Sequence, residues 1–169
     1  RLTAACTAQR GSITGTVTHR PRTVFVLPGQ GGLRPGPGAA LYATAPVYRA
    51  TLDEASAFVG KVCGRELTDW CVDADVTEDD LAATEVAQPL LVAHGVALAR
   101  QLTAWGVRPD AVVGHSVGEL AAACVGGTLS LREAVTFAAE RGRLMGGSTA
   151  PGAMAAVLGA VEREVAALV

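Results

Sequence analysis

Residues 111–127 read AVVGHSVGELAAACVGG. A short apolar run enters a serine set between two glycines, and a run of small residues leaves it. An apolar run bounded by turn residues reads as a strand, and the alanine-rich run that follows has high helix propensity. Gly114-His115-Ser116-Val117-Gly118 is therefore a strand–turn–helix with the serine at its apex, the G-x-S-x-G elbow. So tight a turn forces the serine into strained backbone geometry and requires small neighbours. It also leaves the serine at a helix N-terminus, where free amides and the helix dipole favour developing negative charge. Ser116 is the candidate nucleophile.

Outward from this turn the alternation of strand and helix continues. TVFVLPGQGG (23–32) gives an apolar strand over Val24–Leu27 that stops at Pro28-Gly29. A fully apolar strand followed by a glycine-rich loop suits a central strand of a parallel sheet covered on both faces. LRPGPG (33–38) is a loop, and from Pro46 to Val59 the positions Leu52, Ala55 and Val59 share one helical face. ADVTEDDLAATE (74–85) is polar and acidic, which predicts a solvated face or connection. Residues 89–105, PLLVAHGVALARQLTAW, are apolar nearly all round. They predict a buried helix with Pro89 at its first position and Gly106 and Pro109 as stop signals. Ser130–Glu133 (SLRE) is a capping box that predicts a helix running to about Met145. After a break at GSTAPG (147–152), AMAAVLGA reads as a strand and VEREVAALV as a helix. Strands alternating with helices indicate an α/β fold.

Composition bounds what such a fold can serve. The chain has 169 residues, 50% of them hydrophobic and 18% charged, which suits one globular domain and excludes a disordered chain. A net charge of −2 gives no reason to expect nucleic acid or an anionic membrane as partner. Cys6, Cys63, Cys71 and Cys124 form no CxxC pair and no zinc-ligand spacing, so free thiols in a reducing, cytoplasmic setting are expected. No apolar run approaches the ~20 residues that cross a bilayer. The start, RLTAACTAQRGS, has neither a signal-peptide layout nor an initiator methionine. The chain is therefore expected to be a portion of a longer polypeptide, with residues 1–22 as a linker.

Four blocks in order, FVLPGQGG (25–32), TEVAQPLL (84–91), GHSVGELAAACVGG (114–127) and AERGRLM (139–145), resemble the acyltransferase domain of polyketide synthases. Malonyl-CoA:acyl-carrier-protein transacylases share the pattern. The resemblance runs from about Arg22 to the end of the chain, and HRPRTVFV (19–26) resembles the linker that leads out of a ketosynthase. It implies an α/β-hydrolase-like large subdomain with a parallel sheet over residues 23–150, and the start of a ferredoxin-like small subdomain over 151–169. It implies that Ser116 is acylated, that Gln30 and the Val117 amide form the oxyanion hole, and that Arg141 holds the carboxylate of a malonyl unit. A planar guanidinium suits that last task because it grips a carboxylate with two parallel bonds. Gln88 and His115 are expected beside the substrate, although Gln88 could equally be a polar residue introducing the buried helix. The implied substrates are malonyl-CoA and the phosphopantetheine thiol of an acyl carrier protein, with no bound metal or cofactor and a ketosynthase adjacent in the same polypeptide. Val117 and TEVAQ (84–88) favour malonyl over methylmalonyl units. GQGG followed by Leu33, and a proline in RPGPG, depart from the more usual residues of the family without removing a reacting group.

A serine nucleophile needs a general base. His115 adjoins Ser116 at a sharp turn, which sends the two side chains in different directions. His94 lies in the apolar helix and reads as a hydrogen-bonded core histidine, and His19 precedes the fold. In the family the histidine follows the small insert, so here it is expected beyond Val169, and the chain alone is expected to be inactive. Three other readings remain: a stand-alone or fatty-acid transacylase, a serine hydrolase using the same elbow, and a fragment acting as a scaffold.

Overall fold

Two short apolar strands carry the turn that holds Ser116. The computed structural model describes residues 21–147. In it β1 (Val24–Leu27) and β4 (Ala111–Gly114) pair in parallel, with Val24 opposite Ala111 and Leu27 opposite Gly114. Between them run α1 (Ala39–Thr44), α2 (Pro46–Val59), a hairpin of β2 (Lys61–Val62) and β3 (Arg65–Glu66), then α3 (Leu67–Val72), α4 (Glu78–Ala82) and α5 (Thr84–Ala104). After β4 come α6 (Gly118–Val125) and α7 (Leu131–Gly146). The parallel pair joined by a helical crossover gives the α/β class expected of the sequence. The expected strand over residues 153–160, the helix over 161–169 and all but the last two residues of the linker over 1–22 lie outside the described residues.

The hydrophobic effect gathers these helices around α5. Val86, Leu90, Val92, Ala93, Val96 and Ala97 are buried on nearly every side of it, with α7, α2 and α6 packed against them. Truncating one such leucine to alanine costs about 2–5 kcal/mol. Helix α2 begins at Pro46, whose fixed φ and missing N–H suit a first position. Its N-cap Ala45 offers no side-chain acceptor. The acceptor comes from α5 instead, where the buried Gln101 takes the N–H groups of Val47 and Tyr48, both at 3.0 Å. Helix α7 opens on the expected capping box, with Ser130 and Glu133 bonding each other's backbone N–H.

Two expectations need correction and two gain detail. Helix α5 starts at Thr84, so Pro89 lies inside it. The lost N–H leaves only the Glu85 carbonyl without its helical donor, a tolerable cost so close to the helix start. The acidic stretch 74–85 is a solvated face as well as a connection: Thr77 and Asp80 form a capping box that opens α4, whose residues are exposed except for the buried Leu81. LRPGPG is the expected loop, and a short helix, α1, follows it. Finally, β1 is covered on one face only among the described residues. Phe25 and Leu27 face the helices, while Val26 is 70% exposed.

A neutral polar cluster joins α2, α3 and α5 within the core. Tyr48 Oη lies 2.6 Å from His94 Nδ1 and 3.3 Å from Cys71 Sγ. Burial holds His94 below its ordinary pKa, raises Tyr48 and pushes the Cys71 thiol up to about 11. An unfolded histidine titrates near 6.5, whereas folded His94 takes its proton only at lower pH. The unfolded state therefore binds more protons below about pH 6.5, and stability falls with pH until the folded value is passed. Thermal melts from about pH 7.5 to 5 are expected to show this loss, and His94→Asn, which keeps a polar atom but cannot titrate, to flatten it.

Candidate active site

The elbow is strained where the sequence requires it. Ser116 has φ +53°, the left-handed region, at a cost of about 1–2 kcal/mol for a residue bearing a Cβ. Close backbone contacts hold it there. A Cβ on Gly118 would stand against the Leu27 and Pro28 carbonyl oxygens, and one on Gly114 against the backbone of Gly118 and Glu119. The His115 N–H donates to the Leu27 carbonyl at 3.0 Å, which sews the turn to the end of β1. The N–H groups of Gly118, Glu119 and Leu120 are spent on the carbonyls of His115, Ser116 and Val117. That leaves the Val117 amide as the first one available after Ser116. The Val117 side chain is buried in the core, and Ser116 is exposed.

The loop after β1 lies alongside. Gly29 sits so close to His115 that a Cβ there would stand 2.6 Å from Nδ1. His115 thus packs against the loop. Next to it, Gln30 Nε2 donates to the Ala82 carbonyl at 2.9 Å and to Thr84 Oγ1 at 3.3 Å. The Gln30 carboxamide is committed to the start of α5, so what the loop can direct elsewhere is its backbone amides.

One turn further along α5, Gln88 Oε1 accepts from Arg141 Nη1 at 2.6 Å. Arg143, two residues on, points elsewhere and is gripped twice by Glu140, at 2.9 and 2.6 Å. The ion pairs among the described residues involve Arg34, Arg65, Arg100 and Arg143, and not Arg141. Arg141 is thus a half-buried cation held by a neutral group. Gly29, Gln30, Thr84, Gln88 and Arg141 form a continuous series of contacts from the elbow to this guanidinium. A cleft of about 360 Å³ bordered by Phe58, Lys61, Cys63, Glu85 and Arg143 lies apart from all the expected site residues, none of which lines it. Among the described residues no group of His, Cys, Asp and Glu is placed to hold a metal ion, and no helix is long and apolar enough to cross a membrane.

The model of the acyl transferase domain family matches residues 24–168. The chain belongs to that family. The acyltransferase chain is 46% identical over 150 residues to mycoketide-CoA synthase of Mycobacterium tuberculosis, covering 89% of this chain and 4% of that protein. It is 43% identical over 161 residues to polyketide synthase GfsA of Streptomyces halstedii, covering 91% of this chain and 2% of that protein. Among solved structures, the acyltransferase domain from the second module of the salinomycin polyketide synthase superposes with a TM-score of 0.69 at 43% identity, covering 76% of this chain and 29% of that one. The malonyl-CoA:ACP transacylase of Synechocystis sp. PCC 6803 gives a TM-score of 0.65 at 29% identity, covering 75% and 40%. The chain therefore spans less than half of the solved structures cited and a few per cent of the synthases.

Sequence reading did not find the role of α4, whose Ala82 carbonyl anchors Gln30. The signal was present in Thr77-Glu78-Asp79-Asp80, an [ST]-x-x-[DE] start, masked by its acidity. The strain at Ser116 yields a direct check. Ser116→Gly is expected to unfold about 1 kcal/mol less readily than Ser116→Ala, measured by denaturant titration, because only glycine occupies a left-handed position without a Cβ cost.

Proposed function

We propose that this acyltransferase segment carries the nucleophile and carboxylate-binding side of an enzyme that loads malonyl units onto an acyl carrier protein for polyketide synthesis. Ser116 Oγ attacks the thioester carbonyl of malonyl-CoA, its proton is taken by a base, and the CoA sulfur leaves with a proton. The phosphopantetheine thiol of the carrier protein then attacks the acyl-serine and restores the hydroxyl. The Val117 amide and the backbone amide of Gln30 face the oxyanion in each step, and the helix dipole of α6 adds to them.

The observation that carries this reading is Arg141. A half-buried guanidinium held by a neutral glutamine, with no carboxylate paired to it among the described residues, suits a ligand that brings its own carboxylate. An esterase acting on a neutral acyl group has no use for it. The base is assigned to a histidine elsewhere in the polypeptide, because His94 is committed to Tyr48 and His115 is wedged against Gly29.

Within a full-length domain carrying this segment, Ser116→Ala is expected to abolish labelling by radioactive malonyl-CoA. Arg141→Ala is expected to cut malonyl loading by about 100-fold while costing acetyl loading far less, in line with about 2–3 kcal/mol for a charge-assisted pair. Equal losses with both acyl groups would sink the carboxylate role and return the serine hydrolase reading.

A further inference from the structure

Gln88 is 1% exposed, in a stretch of α5 where Val86, Ala87, Leu90 and Leu91 are buried as well. A carboxamide in such surroundings is costly unless both of its ends are bonded. Both are, and both partners belong to α7. Oε1 accepts from Arg141 Nη1 at 2.6 Å, and Nε2 donates to Met145 Sδ at 3.2 Å. Arg141 and Met145 are four residues apart, so the carboxamide bridges a single turn of α7. Turning the amide over would set its NH2 against the guanidinium, so Arg141 dictates its orientation. The crossing works because α7 has a glycine beside it. A Cβ on Gly142 would stand 2.8 Å from the Thr84 carbonyl oxygen, and α5 and α7 therefore touch backbone to backbone where Gln88 reaches across.

We propose that Gln88 is a positioning residue that holds Arg141 through Nη1, aims the rest of its fork, and leaves its full charge for the incoming carboxylate. The proposal rests on the malonyl-clamp reading above. The choice of side chain follows from electrostatics. Glutamine accepts a hydrogen bond without cancelling charge, whereas a glutamate here would occupy Arg141 as Glu140 occupies Arg143. On this account Gln88 acts through Arg141 and makes no contact with the acyl group.

The test compares kcat/KM for malonyl-CoA and acetyl-CoA in the full-length domain bearing Gln88→Leu, Gln88→Glu, Arg141→Ala and the Gln88→Leu/Arg141→Ala pair. Gln88→Leu is expected to lower the malonyl-to-acetyl ratio about tenfold. Gln88→Glu, which keeps the shape of the side chain, is expected to lower it at least as far, and it decides the matter if the leucine variant does not fold. Arg141→Ala is expected to lower the ratio further, and adding Gln88→Leu to it to change nothing more, because a residue that acts through Arg141 has no effect without it. A ratio left at its wild-type value by both Gln88 variants, with Arg141→Ala still effective, overturns the positioning role and leaves the clamp standing. A further drop in the paired variant also overturns it, since Gln88 would then touch the substrate. A wild-type ratio in Arg141→Ala itself removes the clamp, and the positioning role falls with it.

Discussion

The packing of Gly118 against the carbonyls of Leu27 and Pro28 is the contact on which the rest of the site depends. It brings the first turn of α6 onto the C-terminal end of β1, a distance no side chain could share. Two consequences follow from that single approach. The chain can leave β4 and enter α6 only by bending sharply, which drives Ser116 to a positive φ and leaves it exposed. The loop after β1 is also brought against the elbow, where Gly29 meets His115. The strain at Ser116 is thus held by backbone contacts on both sides, and it persists because the surroundings over-determine it.

Helix α5 extends this order to the guanidinium. Its start receives the Gln30 carboxamide, its next turn sends Gln88 to Arg141, and near its far end Gln101 completes the start of α2. A helix buried on nearly all sides has little freedom to shift, so groups tied to it inherit its rigidity. Sites of this kind need supporting residues locked by packing, since a misplacement of about 1 Å can cost about 100-fold in rate. Small residues serve the same end at the α5–α7 crossing. Gly142 and Gly146, one turn apart, give the first turn of α5 a shallow groove in which to lie.

Legibility in the sequence followed the range of the interactions. The limits of β1, β4 and α2 and the capping box of α7 were readable because the features that set them are local: a Pro-Gly stop, a proline at a first helical position, a Ser-x-x-Glu pair. The start of α5 was not readable. Pro89 looks like a helix start, and what draws the helix back to Thr84 is tertiary, the burial of Val86 and Ala87 and the packing of Thr84 and Glu85 onto Gly142 and Gly146. The hairpin of β2 and β3 went unnoticed because each strand has two residues and its turn is Cys63-Gly64, without the asparagine or aspartate that usually marks such a turn. At the site, the motif singled out Ser116 as a candidate, while the roles expected of Gln30 and Arg141 came only by resemblance. The bonds that define their surroundings span more than fifty residues and leave no periodic trace.

The uncovered face of the sheet bears on how the chemistry is divided. Val24, Val26 and Val113 point away from the helices and stand exposed among the described residues, and on α7 Phe137 and Leu144 flank the face that carries Arg141. Parallel sheets are stable when both faces are covered, and exposed apolar surface of this kind marks a place where further protein packs. Ser116 is set by backbone contacts and the Arg141 guanidinium by the Gln88 side chain, whereas His94 is bonded to Tyr48 and His115 packs against Gly29. The two demands of acyl transfer therefore separate physically. On the proposed reading, holding the acyl group rests on the α5–α6–α7 frame, and moving the proton rests on a group other than these two histidines.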